Sequence, residues 1–87
     1  MPVYMVERHL KGITMDQLSG AQKAAIQTSK EMTAQVMNVR YIRCTFVPGE
    51  ARCMCLFEAP TDQNVRELND RAKIPYTRVV EALDLTP

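Results

Sequence analysis

Apolar and polar residues alternate along four short segments of the 87-residue chain, and two stretches with helical spacing lie between them. The segment VYMVERH at residues 3–9 begins with β-branched and aromatic residues, which is typical of a strand. Residues 39–47, VRYIRCTFV, and 52–58, RCMCLFE, flank the turn sequence PGEA, so they predict a β-hairpin. A fourth short strand is predicted over residues 78–83, RVVEAL.

Two helices are predicted between these strands. Thr14 and Gln17 have the capping-box pattern, and apolar or small residues recur at helical spacing over about 15–36. Gly20 lies inside this helix, where it costs ~1 kcal/mol relative to alanine, and we expect it to allow a close approach to the sheet. The second helix is predicted over 61–73, and the Ile-Pro dipeptide that follows ends it.

The order β-α-β-β-α-β is the split βαβ arrangement of the ferredoxin-like fold. We therefore predict one α+β domain over residues 1–87, with a four-stranded antiparallel sheet and two helices on one face. The other face then needs water or a partner. A domain this small has marginal stability as a monomer. We assign Met54, Leu56 and Tyr41 to the open face, which is then too apolar for water alone. We therefore predict a homodimer that packs through the sheet.

The composition bears on the partners and the location of the protein. Lysine plus arginine is 11 and aspartate plus glutamate is 10, so no basic excess indicates nucleic acid. No stretch approaches the ~20 apolar residues that a membrane span needs, and the N-terminus lacks the pattern of a signal peptide. With an odd number of cysteines, three, these features predict a reducing compartment, the cytoplasm.

The hairpin carries the first group of candidate ligands. We predict that Cys44 lies opposite Cys55 and that Tyr41 lies opposite Glu58, with Cys53 on the face of the other cysteines. These cysteines are either small buried core residues or soft ligands for a metal. The C-x-C spacing is a weak metal signal, because alternate residues of a strand are ~6.6 Å apart. The pairing also suits a Cys44–Cys55 disulfide, but we do not expect one in a reducing compartment.

A second group is polar. Glu7 and His9 share one face of the first strand, and Tyr41 and Glu58 share the predicted open face of the hairpin. If these faces coincide, two carboxylates, an imidazole and a phenol surround a cavity that suits a divalent ion. Alternatively, Glu7 and Glu58 only balance the charges of Arg8, Arg40 and Arg43.

Two further hypotheses involve no metal. One is a dimeric α/β-barrel-type enzyme or small-molecule-binding protein, in which Tyr41, His9 and Glu58 orient or protonate a small organic molecule. The other is a purely structural or interaction dimer. The chain has neither a Gly-rich phosphate loop nor an H-E-x-x-H motif. The sequence therefore does not decide whether the protein is an enzyme.

The segments MPVYMVERHLKGIT, VRYIRCTFVPGEARCMCLFEAP and NDRAKIPYTRVVE resemble a small bacterial family of unknown function. This family includes a nickel-binding, nickel-responsive ferredoxin-like protein, and the resemblance covers nearly the whole chain. It implies a ferredoxin-like fold, a homodimer and binding of Ni²⁺. Our first hypothesis is therefore a metal-binding protein, with metal sensing or storage as its role. The positions that match the polar motif of the family are Glu7, Arg8, Tyr41, Cys53, Cys55 and Glu58. The two groups together give six candidate metal ligands, namely Glu7, His9, Tyr41, Glu58, Cys53 and Cys55. We expect the cysteines to be mainly structural and any metal ion to lie nearer the polar strand ends.

Overall fold

The computed structural model describes all 87 residues and has four strands and two helices in the predicted order. The elements are β1 (Val3–His9), α1 (Met15–Ala34), β2 (Arg40–Val47), β3 (Arg52–Glu58), α2 (Asp62–Ala72) and β4 (Arg78–Ala82). Only the ends of these elements differ slightly from the sequence-based prediction. No helix combines the length and the apolar character needed to cross a membrane.

The four strands form one antiparallel sheet in the order β2-β3-β1-β4. Consecutive strands β2 and β3 are neighbours through the hairpin, whereas β1 lies between β3 and β4. This arrangement is the predicted ferredoxin-like α+β fold. It places the middle of β1 and β3 at the centre of the sheet, where their inward side chains are covered by the helices.

The core lies between the sheet and the two helices. Alternate residues of β3, namely Cys53, Cys55 and Phe57, are buried, as a half-covered strand requires. Helix α1 covers them with its buried Ala25 and Met32. Cys53 and Cys55 are thus buried in the core, as expected if the cysteines of the C-x-C segment are small core residues.

The start of helix α1 confirms the predicted capping box. The Thr14 hydroxyl accepts a hydrogen bond from the Gln17 backbone N–H at 3.1 Å, and the Gln17 side chain accepts one from the Thr14 backbone N–H at 3.0 Å. The expectation for Gly20 was wrong, because this glycine is exposed and a Cβ there would meet nothing within 4 Å. Gly20 lies on the outer side of the helix, away from the sheet.

The hairpin register agrees with the prediction from the turn as far as Arg43 and then departs from it. An irregularity between Tyr41 and Arg43 shifts the pairing by one residue, so Tyr41 lies opposite Phe57 and Arg40 lies opposite Glu58. The predicted Tyr41–Glu58 pair was therefore wrong. Because side chains alternate across a strand, this shift turns Tyr41 toward the helices. Its ring meets that of Phe57 edge to face, with 5.5 Å between the centroids.

The open face of the sheet has an apolar strip that no element of the chain covers. Met5 on β1 lies between Leu56 on β3 and Val80 on β4, and all three are half-buried. Met54 shares this face, one register position further along β3. The predicted apolar open face is therefore present without Tyr41.

Candidate metal centre

The three cysteines of the chain come together on the side of the sheet that faces the helices. Cys44 and Cys55 are direct cross-strand partners, with their Cα atoms 4.0 Å apart, and their sulfur atoms form a disulfide. Cys53 remains a free, buried thiol. The register at these residues is as predicted, and the structure has the Cys44–Cys55 disulfide that we did not expect.

Cys53 completes the cluster from the same strand as Cys55. Its Sγ atom lies 3.7 Å from Sγ of Cys55, although alternate Cα atoms of a strand are ~6.6 Å apart. The two side chains therefore lean toward each other, so the spacing of the C-x-C segment does not prevent both sulfur atoms from binding one ion. All three sulfur atoms lie within 4.8 Å of one another. Two thiolates bound to one ion at ~2.3 Å in tetrahedral geometry are ~3.8 Å apart, so the reduced cluster fits a thiolate metal site.

A buried arginine stands beside this cluster without an acidic partner. Arg8 is 3% exposed and lies opposite Cys53 in the register of the sheet. Its Nη1 atom donates to Oδ1 of Asn69 at 2.7 Å and to the carbonyl oxygen of Pro75 at 3.4 Å. Asn69 is itself fully buried on α2 and donates to the carbonyl of Val65 at 2.8 Å. Buried charges are ordinarily paired with an opposite charge, so this guanidinium is an exception.

The electrostatics of the site follow from this burial. Burial lowers the pKa of Arg8, although the nearby Cys53 and Tyr41 oppose the shift. Burial likewise raises the pKa of the Cys53 thiol, and the charge and hydrogen bonding of Arg8 work against it. Because burial dominates, Cys53 is a protonated thiol at neutral pH. A group that withdraws its proton, such as a metal ion, is needed to make it a ligand.

A cavity of ≈ 120 Å³ adjoins the cluster on the inner side of the sheet. Ten of its 12 lining residues are hydrophobic, and all three cysteines contribute to the wall. Arg8 and Gln22 are its polar lining residues, and Tyr41 adds a phenolic hydroxyl. Nε2 of the exposed Gln22 on α1 donates to the Tyr41 hydroxyl at 3.0 Å. Burial raises the pKa of Tyr41, so its hydroxyl stays protonated at neutral pH.

The predicted pair Glu7 and His9 lies on the opposite, open face. Nε2 of His9 is 3.9 Å from Oε1 of Glu7, while Oε2 of Glu7 accepts from Arg52 at 3.3 Å and from Arg78 at 3.5 Å. Partial burial raises the pKa of Glu7, but the two arginines outweigh it and hold the pKa below its usual value. The carboxylate is therefore an ion-pair partner of arginines, although not of those that the sequence suggested.

Glu58 and Tyr41 do not join Glu7 and His9 within one chain. Glu58 lies opposite Val3, four residues before Glu7 on β1, which corresponds to ~13 Å at ~3.3 Å per residue. Its Oε1 atom accepts from Nε of Arg40 at 3.3 Å, and this hydrogen bond lowers its pKa. The chain therefore brings Tyr41 together with Cys53 and Cys55, and leaves the two carboxylates apart.

Two residues of the site were missed as site residues by the sequence argument. Cys44 was predicted to share a face with Cys53 and Cys55, yet it was not included among the ligands. The role of Asn69 as the partner of Arg8 has no local signal, because 61 positions separate them in sequence. Alternation with Val6 on β1 was the one signal that Arg8 points inward.

Comparisons with known proteins support the fold and show the family of the chain. A family model described as nickel responsive protein SCO4226-like matches residues 4–82. The chain is also similar to the crystal structure of SCO4226 from Streptomyces coelicolor A3(2), with 25% sequence identity and a TM-score of 0.81. This alignment covers 97% of the chain and 99% of the other. No curated protein matches the chain. The similarity thus extends over almost the whole length of both chains.

Proposed function

The chain belongs to the SCO4226-like family of nickel responsive proteins. From this premise we propose that it binds a divalent metal ion through Cys44, Cys53 and Cys55, with nickel as the first choice of metal. The observation that carries the proposal is the approach of three sulfur atoms within 4.8 Å of one another. In the reduced protein these sulfur atoms are three soft ligands that are close enough together to bind one metal ion. Metal sensing or storage is the role that we assign to the site.

The unpaired charge of Arg8 supports a metal–thiolate centre. Three thiolates and one divalent ion together carry a net charge of −1. A guanidinium beside them neutralises this charge, and a buried charge is tolerated when it is paired. The centre therefore gives a physical reason for a buried arginine that donates to an amide and a carbonyl but to no carboxylate.

The donor set also bears on the choice of metal and on the compartment. Thiolates suit zinc and copper(I) as well as nickel, so the family rather than the ligand set makes nickel the first choice. The three ligands exist only when the disulfide is reduced. We therefore propose a reducing compartment, the cytoplasm, as the place where the site operates.

The Glu7–His9 pair is a second candidate metal site, because a carboxylate and an imidazole already lie 3.9 Å apart. Tyr41 and Glu58 would join it only if a second copy of the chain brought them close. We propose such a homodimer through the strip of Met5, Leu56 and Val80, since a dimer would bury this strip. A small-molecule-binding or enzymatic role is the alternative function, and the inner cavity of ≈ 120 Å³ is the observation in its favour.

Titration of Ni²⁺ into reduced, untagged protein tests the proposal and compares the two sites. We expect Cys53→Ser and Cys44→Ser to lose high-affinity binding and the thiolate-to-metal absorption band. Glu7→Gln and His9→Ala serve as matched variants of the other site and should bind as the parent does.

Two results would change the assignment. Loss of binding in the Glu7 and His9 variants alone would move the metal to the open face of the sheet. No binding of nickel, zinc or copper(I) by the reduced parent would remove the metal function and leave the small-molecule or structural one. Elemental analysis of the purified protein supplies an independent reading of the metal that it carries.

A further inference from the structure

Three features meet at the inner cavity: a buried cation without an acidic partner, a disulfide, and a free thiol. Arg8, Cys44, Cys53 and Cys55 all line this cavity. From this combination we propose that the cavity admits a small thiol that carries a carboxylate, and that this thiol reduces the Cys44–Cys55 disulfide. The proposal assigns the cavity a substrate class, which the metal function does not require.

The volume of the cavity limits the size of the molecule. An apolar cavity of ~150 Å³ in a protein holds a molecule as large as benzene, which has six non-hydrogen atoms. The present cavity of ≈ 120 Å³ therefore fits a compound of about five or six non-hydrogen atoms. Larger reductants do not fit this cavity.

The lining of the cavity defines the chemistry of the molecule. Apolar side chains dominate the wall, so the body of the ligand is a short aliphatic chain. Arg8 supplies the one positive charge, and its Nη1 atom donates to Asn69 and to the carbonyl oxygen of Pro75. A carboxylate is a strong acceptor for a guanidinium and provides the negative charge that is missing here. Gln22, which is exposed and bonded to Tyr41, is a polar group at the edge of the cavity.

The reaction is thiol–disulfide exchange in two balanced steps. The thiolate of the small molecule attacks Sγ of Cys44, which is less buried than Cys55. A mixed disulfide with Cys44 forms, the Cys44–Cys55 bond breaks, and Cys55 leaves as a thiolate that takes up the proton of the incoming thiol. A second small thiol then attacks the bound one, which releases a disulfide of two small molecules and leaves Cys44 as a thiol. The two electrons that reduce the protein come from the two small thiols.

The consequence is a change from one free thiol to three. Cys53 is the only free cysteine before the reaction, and Cys44 and Cys55 join it afterwards. If the proposed metal function holds, the small anionic thiol therefore controls when the metal site is available. The exchange reaction itself does not depend on the metal.

A series of thiols that differ in charge tests the inference on the oxidised parent protein. Mercaptopropionate, mercaptoethanol and cysteamine are compared at equal thiolate concentration, and alkylation followed by mass spectrometry counts the protein thiols. We expect the anionic thiol to reduce the disulfide at least about tenfold faster than the neutral one, and the cationic thiol to be slowest. Propionate, which has the same head group but no thiol, should slow the anionic reagent selectively.

Arg8→Gln should abolish the preference for mercaptopropionate, whereas the exposed Arg78→Gln on the other face should retain it. If Arg8→Gln does not fold, the thiol series and the propionate competition on the parent still decide the question. Equal rates for all three thiols, or no effect of propionate, would overturn the inference. Nickel titration after complete reduction reports separately on the metal function, because a reduced protein that binds no metal can still show the preference among thiols.

Discussion

Replacement of Asn69 by alanine tests whether Arg8 depends on this one side chain for its stability inside the core. The substitution removes the acceptor at 2.7 Å from the Arg8 guanidinium, and no carboxylate is present to replace it. A hydrogen bond to a charged group contributes about 1.5–3 kcal/mol, and the lost side-chain volume of a fully buried residue adds to this cost. We therefore expect the free energy of unfolding to fall by about 3 kcal/mol.

Urea unfolding followed by circular dichroism measures this change, provided that the transition is two-state. For a domain of this size, 1 kcal/mol corresponds to about 4–8 °C, so the midpoint of thermal unfolding should fall by about 12–24 °C. Asn64→Ala is the matched control in the same helix, since its hydrogen bond to the Asn38 carbonyl is exposed. We expect it to change stability by less than about 1 kcal/mol.

Asn69→Asp separates the loss of an acceptor from the loss of charge balance. Aspartate retains the acceptor and adds the negative charge that Arg8 lacks, so it should be more stable than the alanine variant by at least about 1 kcal/mol. By the same reasoning, it should weaken the preference for an anionic thiol. A loss below about 0.5 kcal/mol in Asn69→Ala would refute the reasoning, because it would mean that other groups or solvent already satisfy the guanidinium.

Three further substitutions and one pH series test other parts of the structure. Cys53→Ser should cost the metal-free protein about 1–3 kcal/mol in urea unfolding, because it buries a hydroxyl among apolar neighbours. Thr14→Ala removes the capping box and should cost about 1 kcal/mol, which thermal unfolding measures. Glu7 has a folded pKa below its usual value, so its contribution to stability is present above about pH 4.3 and is lost as the pH falls through the folded pKa. In a plot of urea midpoint against pH, Glu7→Gln should therefore show a smaller slope than the parent in this range. Equal slopes would contradict the pairing of Glu7 with its arginines. Leu56→Glu should convert a dimer into a chain of 9.9 kDa by light scattering, and a parent that already has this mass would exclude the dimer.

The fold could be predicted from the sequence because its signals are local. The period of two in the strands, the capping box at Thr14 and the turn before the third strand each depend on a few neighbouring residues. The register shift beyond Arg43 has no such signal, since an extra residue in an edge strand needs no glycine or proline to mark it. This single shift moved Tyr41 to the other face and separated it from Glu58. Likewise, Cα spacing along a strand does not define where sulfur atoms lie, and the inward lean of Cys53 depends on tertiary packing.

The charges on the two faces of the sheet give a reason to prefer the inner site for a cation. On the open face both carboxylates already accept hydrogen bonds from arginines: Glu7 from Arg52 and Arg78, and Glu58 from Arg40. A metal ion that took these carboxylates as ligands would displace the guanidinium groups and leave them close to another positive charge. On the inner face the order is reversed, because the positive charge stands alone and the ligands are thiols that become negative when they bind metal. Metal binding at the inner site therefore gives Arg8 a negatively charged partner, whereas metal binding on the open face would take carboxylate partners away from its arginines. For this reason we expect the cysteines to bind the ion.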